Sequence, residues 1–387
     1  MNNNEPLNIL YHHRIASKDG QYVHVEEIIN ALTEQGHQIH IVAPKVAENS
    51  DFGSDGGWVD TLKAKLPRFV YELMEFAYAF YAFIKLSIAI IKYKPDVIYE
   101  RYNLFLPAGI WASKLFGKPI LLEVNAPLYQ ERKKYNGISL DWLAKWSQKY
   151  CWRNADKTLP VTNVLANYLR EVDVPESKIE VIANGINKKH FYTEIQKPQQ
   201  LPNLENKVVI GFVGFVREWH GLERVLDIIK KLDDKNLFFL IIGDGPAVPA
   251  LKAQAKALAL DDQIFVSGIV QRKEMPNWLA HIEIALQPDV VPYASPLKML
   301  EYLALGKAII APDTANIKEL LENKKNALLF DVENKNSFSE KLTELLLDAE
   351  LRKQLGENAH STIEAKNLTW EANGEKIATL FKQLLNR

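Results

Sequence analysis

Short apolar runs alternate with segments of helical period, and the alternation is made twice with one polar stretch between. In the first series, runs at 7–13, 39–43, 97–99, 119–124, 157–161 and 179–183 read as strands. Val23, Ile28, Ile29 and Leu32 share one helical face that ends at Gly36, and further helices are expected at 105–116, 140–153 and 163–171. The second series places strands at 208–213, 237–242, 263–266, 284–287, 308–311 and 327–330, with helices at 222–232, 248–258, 275–281, 296–305 and 317–321. Strands separated by helices imply right-handed crossovers and a mainly parallel sheet. The intervening stretch at 194–207, EIQKPQQLPNLENK, is polar, carries two prolines and has no apolar period. The fold class is therefore α/β, with two Rossmann-like domains expected at 1–195 and 208–366 around a linker at 196–207. Ligands of such sheets bind outside the carboxyl ends of the strands, so the cleft between two such domains is the expected site.

Composition narrows the function classes. Of 387 residues, 47 are Lys or Arg and 48 are Asp or Glu, and this balance argues against a general nucleic-acid binder. A single cysteine, Cys151, excludes an intrachain disulfide and a multi-thiolate zinc site. The opening residues show no basic segment followed by an apolar one, so a cytoplasmic protein is expected. The run FVYELMEFAYAFYAFIKLSIAIIKYK at 69–94 is long enough to span a bilayer, yet Glu72, Glu75 and Lys85 interrupt it. A buried or interfacial helix fits better. Lys63, Lys65, Arg68, Lys85, Lys92 and Lys94, beside Phe69, Phe76, Phe80 and Phe83, suit an anionic bilayer surface. The alternative is a crossover helix whose lysines only solubilise its edge.

The strongest local chemistry lies at PYASPLKMLEYLAL, 292–305. Ser295 is expected as an N-cap and Pro296 as the first helical residue, so that the free N–H groups face an anion. Lys298 in the first turn works against the helix dipole unless an anion is bound, and Glu301 shares its face. An ordinary capped helix with a surface Lys–Glu pair reads from the same residues. GFVGFVREWHG, 211–221, follows an apolar strand, and Gly214, Arg217 and His220 are candidates for cradling a diphosphate. The loop HHRIASKDGQYVHVEE carries His12, His13 and His24 without metal-motif spacing, so packed or solvated roles are expected. LLEVNAPLYQER places Glu123, Asn125 and Glu131 after a strand, where they could reach the cleft or satisfy loop backbone. No Asp-x-Asp occurs, and Cys151 beside Trp152 reads as core.

In order and spacing, four segments resemble a retaining glycosyltransferase of family four, with the two-Rossmann-domain GT-B fold. DGQYVHVEEIINALTEQGHQIHIV is similar to its N-terminal Gly-Gly loop and first helix, with Gly20 at the second glycine. VIANGIN resembles its Pro-Asn-Gly-Val-Asp turn, LIIGDGP its Gly-Asp-Gly-Pro turn, and PLKMLEYLALGKAIIA its donor-binding helix and next strand. The family's glutamate, seven residues, glutamate signature keeps Glu301 at its second place and has Tyr293 at its first, as in a subset with Ser-Pro-x-Lys before the glutamate. Phe215 and His220 stand where the diphosphate loop usually has Arg and Lys, and Asn125 where the acceptor domain has His.

The resemblance implies metal-independent transfer, with retention, of a sugar from a UDP- or GDP-linked donor to a hydroxyl of a glycan or lipid-linked glycan. It places Gly214, Arg217, His220, Tyr293, Ser295, Pro296, Leu297, Lys298 and Glu301 on the donor, with Glu301 at the ribose. Gly20, Asn125 and Glu131 fall on the acceptor side. Arg217, Lys298, Glu301 and Asn125 are the catalytic candidates. No cofactor beyond the nucleotide sugar is expected, and residues 367–387 are expected to cross back to the first domain. A sugar-nucleotide epimerase and a catalytically silent binding subunit remain the alternatives.

Overall fold

The computed structural model describes residues 5–15, 20–44, 66–135, 137–192 and 194–386. Lys63 and Lys65 of the expected basic surface lie outside the described residues. The chain forms two compact units, one of Met1–Asn184 with Trp370–Arg387, the other of Gly185–Thr369.

Unit 1 is built on a parallel sheet of five strands in the order β2-β1-β3-β4-β5: β1 (Asn8–His12), β2 (Gln38–Val42), β3 (Val97–Arg101), β4 (Ile120–Val124) and β5 (Lys157–Pro160). Its helices are α1 (Gly20–Glu34), α2 (Arg68–Tyr93), α3 (Ala108–Phe116), α4 (Leu128–Tyr135), α5 (Asp141–Asn154) and α6 (Asn163–Arg170). β3 and β4 are buried along their whole length, as strands covered on both faces must be. Tyr11 stacks on Tyr99 with ring centroids 4.9 Å apart, which carries the core across the β1–β3 pair. Thr162 caps α6 by accepting the Leu165 N–H. Cys151 is fully buried, as expected.

Two strand expectations change. β3 runs on past Tyr99 through Glu100 and Arg101, because buried partners on the neighbouring strands hold both charges. The segment at 179–183 forms no strand but a single bridge from Ile179 to Thr158, with Glu180 and Ile182 donating to the Thr158 and Pro160 carbonyls. Pro160 has no N–H to return, so only half of that ladder forms. The expected helix at 105–116 begins at Ala108, after Phe105 in a left-handed conformation (φ 63°).

Unit 2 holds a six-stranded parallel sheet in the order β11-β10-β9-β6-β7-β8. The strands are β6 (Val208–Val213), β7 (Leu237–Ile242), β8 (Ile264–Val266), β9 (Ile284–Leu286), β10 (Ala308–Pro312) and β11 (Leu328–Phe330). Covering helices are α7 (Glu223–Leu232), α8 (Val248–Ala257), α9 (Leu297–Ala304), α10 (Ser337–Leu347) and α11 (Ala349–Ala365), with single helical turns at Lys188–Phe191, Met275–Leu279 and Ala315–Lys318. The inward faces of α7 and α10 meet the sheet through Val225, Leu226, Ile229, Leu342 and Leu345. Each such side chain contributes about 1.5–3 kcal/mol by leaving water.

The crossings between units stand at Asn184–Gly185 and Thr369–Trp370, not in the polar stretch 196–207. That stretch belongs to unit 2, where Leu201 is buried and the Gln196 N–H donates to Asn277. Polar composition identified a surface strap there, whereas the change of unit falls in VIANGIN, which carries no linker signal. The last helix, α12 (Trp370–Leu385), belongs to unit 1. Asn373 and Lys376 donate to the Ala183 and Val181 carbonyls. Gly374 lets α12 approach α1, since a Cβ there would lie 3.1 Å from that of Ala31.

Candidate functional site

In unit 2, β6 ends in a loop whose path depends on glycine. Gly214 has φ 130°, and a Cβ on it would sit 3.1 Å from the Lys298 Nζ. The Gly-Asp-Gly turn after β7 lies directly against this loop: a Cβ on Gly243 would fall 2.1 Å from the Gly214 carbonyl oxygen, and one on Gly245 would fall 2.2 Å from that of Val216. The Gly214 N–H donates to the Ile242 carbonyl and the Val216 N–H to that of Asp244. Two backbones therefore touch where any side chain would part them, which accounts for both glycine motifs. Tyr302, fully buried on α9, fixes the loop from beneath. Its hydroxyl accepts the Val213 N–H at 3.1 Å and donates to the Leu286 carbonyl at 3.3 Å. Sequence reasoning missed Tyr302; a tyrosine inside a buried apolar face needs a polar partner, and that was the available signal.

α9 brings Lys298 to this loop. Its N-cap is Pro296, with no side-chain cap bond, so Ser295 is not the cap it was expected to be. Ser295 is buried one residue earlier, Leu297 opens the helix, and Tyr293 is buried too. Lys298 is half-buried, with Nζ 4.4 Å from the Phe212 ring centroid. Among the described residues no carboxylate lies within ion-pair distance of that Nζ. Burial pushes the Lys298 ammonium down to about 8, against the Glu301 carboxylate, which raises it. Burial likewise raises Glu301, against the Arg272 and Lys298 charges that lower it. Arg272, in the turn after β8, was not among the sequence candidates. Lys298 and Glu301 are thus both half-buried and outside ion-pair distance of one another, unlike the surface pair of the alternative reading.

Arg217 and His220 occupy the same loop. The Arg217 side chain is exposed and lies over the Phe215 ring, 4.9 Å from its centroid. The buried His220 accepts the Arg217 N–H at Nδ1, 3.0 Å, which leaves Nε2 to carry the proton. Burial, then the Lys298 charge, lowers this imidazole to about 4, so it is a neutral donor at physiological pH.

In unit 1, charged and polar side chains collect at the carboxyl ends of β1, β3 and β4. Register pairs His12 with Glu100 and Arg101 with Glu123. His12 Nδ1 lies 2.5 Å from Glu100 Oε2, and Arg101 donates to Glu123 Oε1 at 2.5 Å. Glu123 also accepts from the Tyr99 hydroxyl at 2.8 Å and from the Asn125 amide, and its Oε2 is 3.0 Å from His24 Nε2. The other ring nitrogen of His24 is 2.7 Å from Asn184 Oδ1, which ties the VIANGIN turn to α1. Burial would raise the Glu123 carboxyl, but His24 and Arg101, with the His24 and Tyr99 hydrogen bonds, hold it well below the usual carboxylate range. Glu123 is therefore a buried anchor that holds side chains, where the sequence left open a reach into the cleft or a bond to loop backbone. His12, His13 and His24 are all buried, in packed roles. His13 accepts the Ile15 N–H at Nδ1, and burial, with His12 and Arg101, lowers it to about 4.

Asn125 is half-buried, and among the described residues nothing donates to its Oδ1. Glu131 is half-buried on α4, and Gly20 opens α1. Among the described residues, no group of three or more His, Cys, Asp or Glu could hold a metal ion.

Two Rossmann-like units with parallel sheets define the GT-B architecture. Residues 18–190 match the family described as Glycosyltransferase Family 4, and residues 193–362 match Glycosyl transferases group 1. In that order, the two matches make the chain a family-four-like glycosyltransferase of GT-B type. It is 22% identical to the uncharacterized glycosyltransferase MJ1069 of Methanocaldococcus jannaschii, over 95% of each chain. It is 28% identical, over 54% of this chain and 56% of the other, to the N,N'-diacetylbacillosaminyl-diphospho-undecaprenol alpha-1,3-N-acetylgalactosaminyltransferase of Campylobacter jejuni. Among solved structures, Anabaena HepE in complex with UDP superposes with a TM-score of 0.72 at 15% identity, covering 97% of this chain and 100% of that one.

Proposed function

We propose that the protein transfers a sugar, with retention and without a metal ion, from a UDP- or GDP-linked donor to a hydroxyl of a glycan or lipid-linked glycan in the cytoplasm. The observation that carries this reading is Lys298, a half-buried cation with no carboxylate in ion-pair distance among the described residues, beside a glycine loop and a helix start. Such a cation is stabilised by an anion more than by water. The UDP-bound relative and the lipid-diphosphate acceptor in another relative's name support the donor and acceptor classes.

The donor diphosphate would lie against Gly214, with Lys298, Arg217 and the His220 Nε2–H donating to its oxygens and Ser295, Pro296 and Leu297 framing the helix start. Tyr293, being buried, would shape that wall. Glu301 would accept the ribose hydroxyls. As the bond from the anomeric carbon to the phosphate oxygen breaks, charge grows on the diphosphate, where these fixed donors act. The acceptor oxygen bonds to the anomeric carbon on the same face, and its proton passes to the departing phosphate oxygen. Asn125 Oδ1, Glu131 and the Gly20 end of α1 would hold the acceptor.

The deciding test is a screen of nucleotide sugars by thermal shift, followed by nucleotide-release assays with glycan acceptors. A bound donor raises the melting temperature by mass action. Release that needs an acceptor supports transfer. Isomerised donor without acceptor indicates an epimerase, and donor bound without turnover indicates a silent subunit.

Two results are expected from this reading. Activity persists in excess EDTA, because fixed cations replace a metal at the leaving group; activity lost in EDTA and restored by magnesium or manganese would refute it. Glu301→Gln weakens donor affinity about fivefold, since a hydrogen bond to a charged group is worth roughly 1 kcal/mol more than one to an amide. Titration of the donor, beside an unchanged melting temperature of the free protein, checks this.

A further inference from the structure

α2 is apolar on two opposite faces, and among the described residues only one of them is covered. Ala79, Ala82, Leu86, Ala89 and Ile90 are buried. On the far side, Leu73, Ala77, Phe80, Ile84, Ile88 and Ile91 recur at helical spacing and form one exposed stripe about 27 Å long. Ile84, Ile88 and Ile91 are 57%, 59% and 66% exposed. A helix in water normally turns polar side chains outward, so a stripe of this size marks a surface that something covers.

Charge indicates the occupant. α2 has two carboxylates, and both point inward. Glu72 is buried and accepts the Ser139 and Leu140 N–H groups, while Glu75 pairs with Arg132 at 2.6 Å. Among the described residues of α2, the charged side chains beside the stripe are Lys85 and Lys92, both exposed, each with its Nζ over a neighbouring tyrosine ring. The surface continues through Phe76, whose ring meets Trp146 of α5 at 5.9 Å. Trp142 and Trp146, 68% and 41% exposed, alternate on α5 with Lys145 and Lys149, which pair with Asp141 at 2.8 Å and Asp173 at 3.2 Å, so that among the described residues the uncompensated positive charge of this surface rests with Lys85 and Lys92. Apolar area flanked by lysines and half-exposed tryptophans is the chemistry of a bilayer interface carrying anionic lipid.

We propose that the exposed face of α2, extended by Trp142 and Trp146, docks unit 1 on an anionic phospholipid membrane with the helix lying along the surface. The opposite face is buried in the protein, so α2 lies in the interface and does not span. The inference stands apart from the transfer reading, because binding needs neither donor nor acceptor.

The test is co-sedimentation of the full chain with vesicles of phosphatidylcholine alone or mixed with phosphatidylglycerol, at low and high salt. Binding is expected on the mixed vesicles only and falls with salt. Lys85→Ala with Lys92→Ala weakens it about thirtyfold, from the attraction of two basic residues to an anionic surface. Ile84→Glu with Ile88→Glu abolishes it, and the exposure of both positions leaves the fold intact, as a wild-type melting curve would show. Vesicle binding untouched by either pair overturns the proposal, as does no binding by a monomeric wild type. A wild-type dimer that ignores vesicles and is split by the Ile84 and Ile88 changes would assign the stripe to a second copy of the chain and equally overturn it.

Discussion

Glu123→Ala is expected to destabilise unit 1 by about 3–5 kcal/mol, the cost of removing one partner from a buried ion pair. The carboxylate is 2% exposed and accepts from Arg101, Tyr99 and Asn125, with His24 also in contact. Without it the Arg101 guanidinium is left buried and unpaired, in a domain whose whole stability is on the order of 5–15 kcal/mol. Glu123→Gln keeps the shape and two acceptor lone pairs, so it should cost less. Urea unfolding of both variants followed by circular dichroism measures the difference, and a midpoint for Glu123→Ala within error of wild type would refute the anchor role. The pH dependence has a definite sign. The folded carboxyl lies below its usual value of 4.5, so its contribution is complete above that pH. It is lost as acidification protonates the group in the folded state. Wild type therefore loses stability as pH falls below about 4.5, and Glu123→Gln loses it less steeply.

The same cluster shows where a single sequence stops being informative. Alternating apolar runs and helical periods revealed two α/β units, because that pattern is local. Glu100 and Arg101 looked like the end of a strand, since charges in a buried strand are tolerated only when neighbours neutralise them. Those neighbours, His12 on β1 and Glu123 on β4, are set by register and cannot be read from spacing. Glu72 is a similar case: it interrupts an apolar run, and its partners are backbone N–H groups at Ser139 and Leu140. At the unit 2 loop the local signals carried further. Gly214, Gly243 and Gly245 are needed by the backbone itself, and Lys298 stands where the helix start suggested. Ser295 misled because this good capping residue beside proline lies one position before the N-cap, which is Pro296 itself.

Lys298→Ala is expected to lower donor kcat/KM by about 1.5–3 kcal/mol, from tenfold to roughly 150-fold, the range for hydrogen bonds to charged groups. The proposed diphosphate would replace the missing counter-ion of a cation already taken partly out of water. Burial brings the Lys298 ammonium down to about 8, within reach of ordinary assay conditions. Anion capture needs the protonated form. In the free enzyme kcat/KM should therefore hold below that pH and decline above it, because this ratio reports ionisations of the uncomplexed protein. Lys298→Arg separates charge from shape. A guanidinium stays protonated, so the alkaline decline should move up or vanish even where the longer side chain lowers the plateau. Lys298→Ala should show a low, flat profile over the same range. A purely structural lysine would instead give variants that melt earlier and keep the wild-type pH limb. Measuring kcat/KM for the donor from about pH 6 to 10, an interval that brackets the Lys298 ionisation, distinguishes the two.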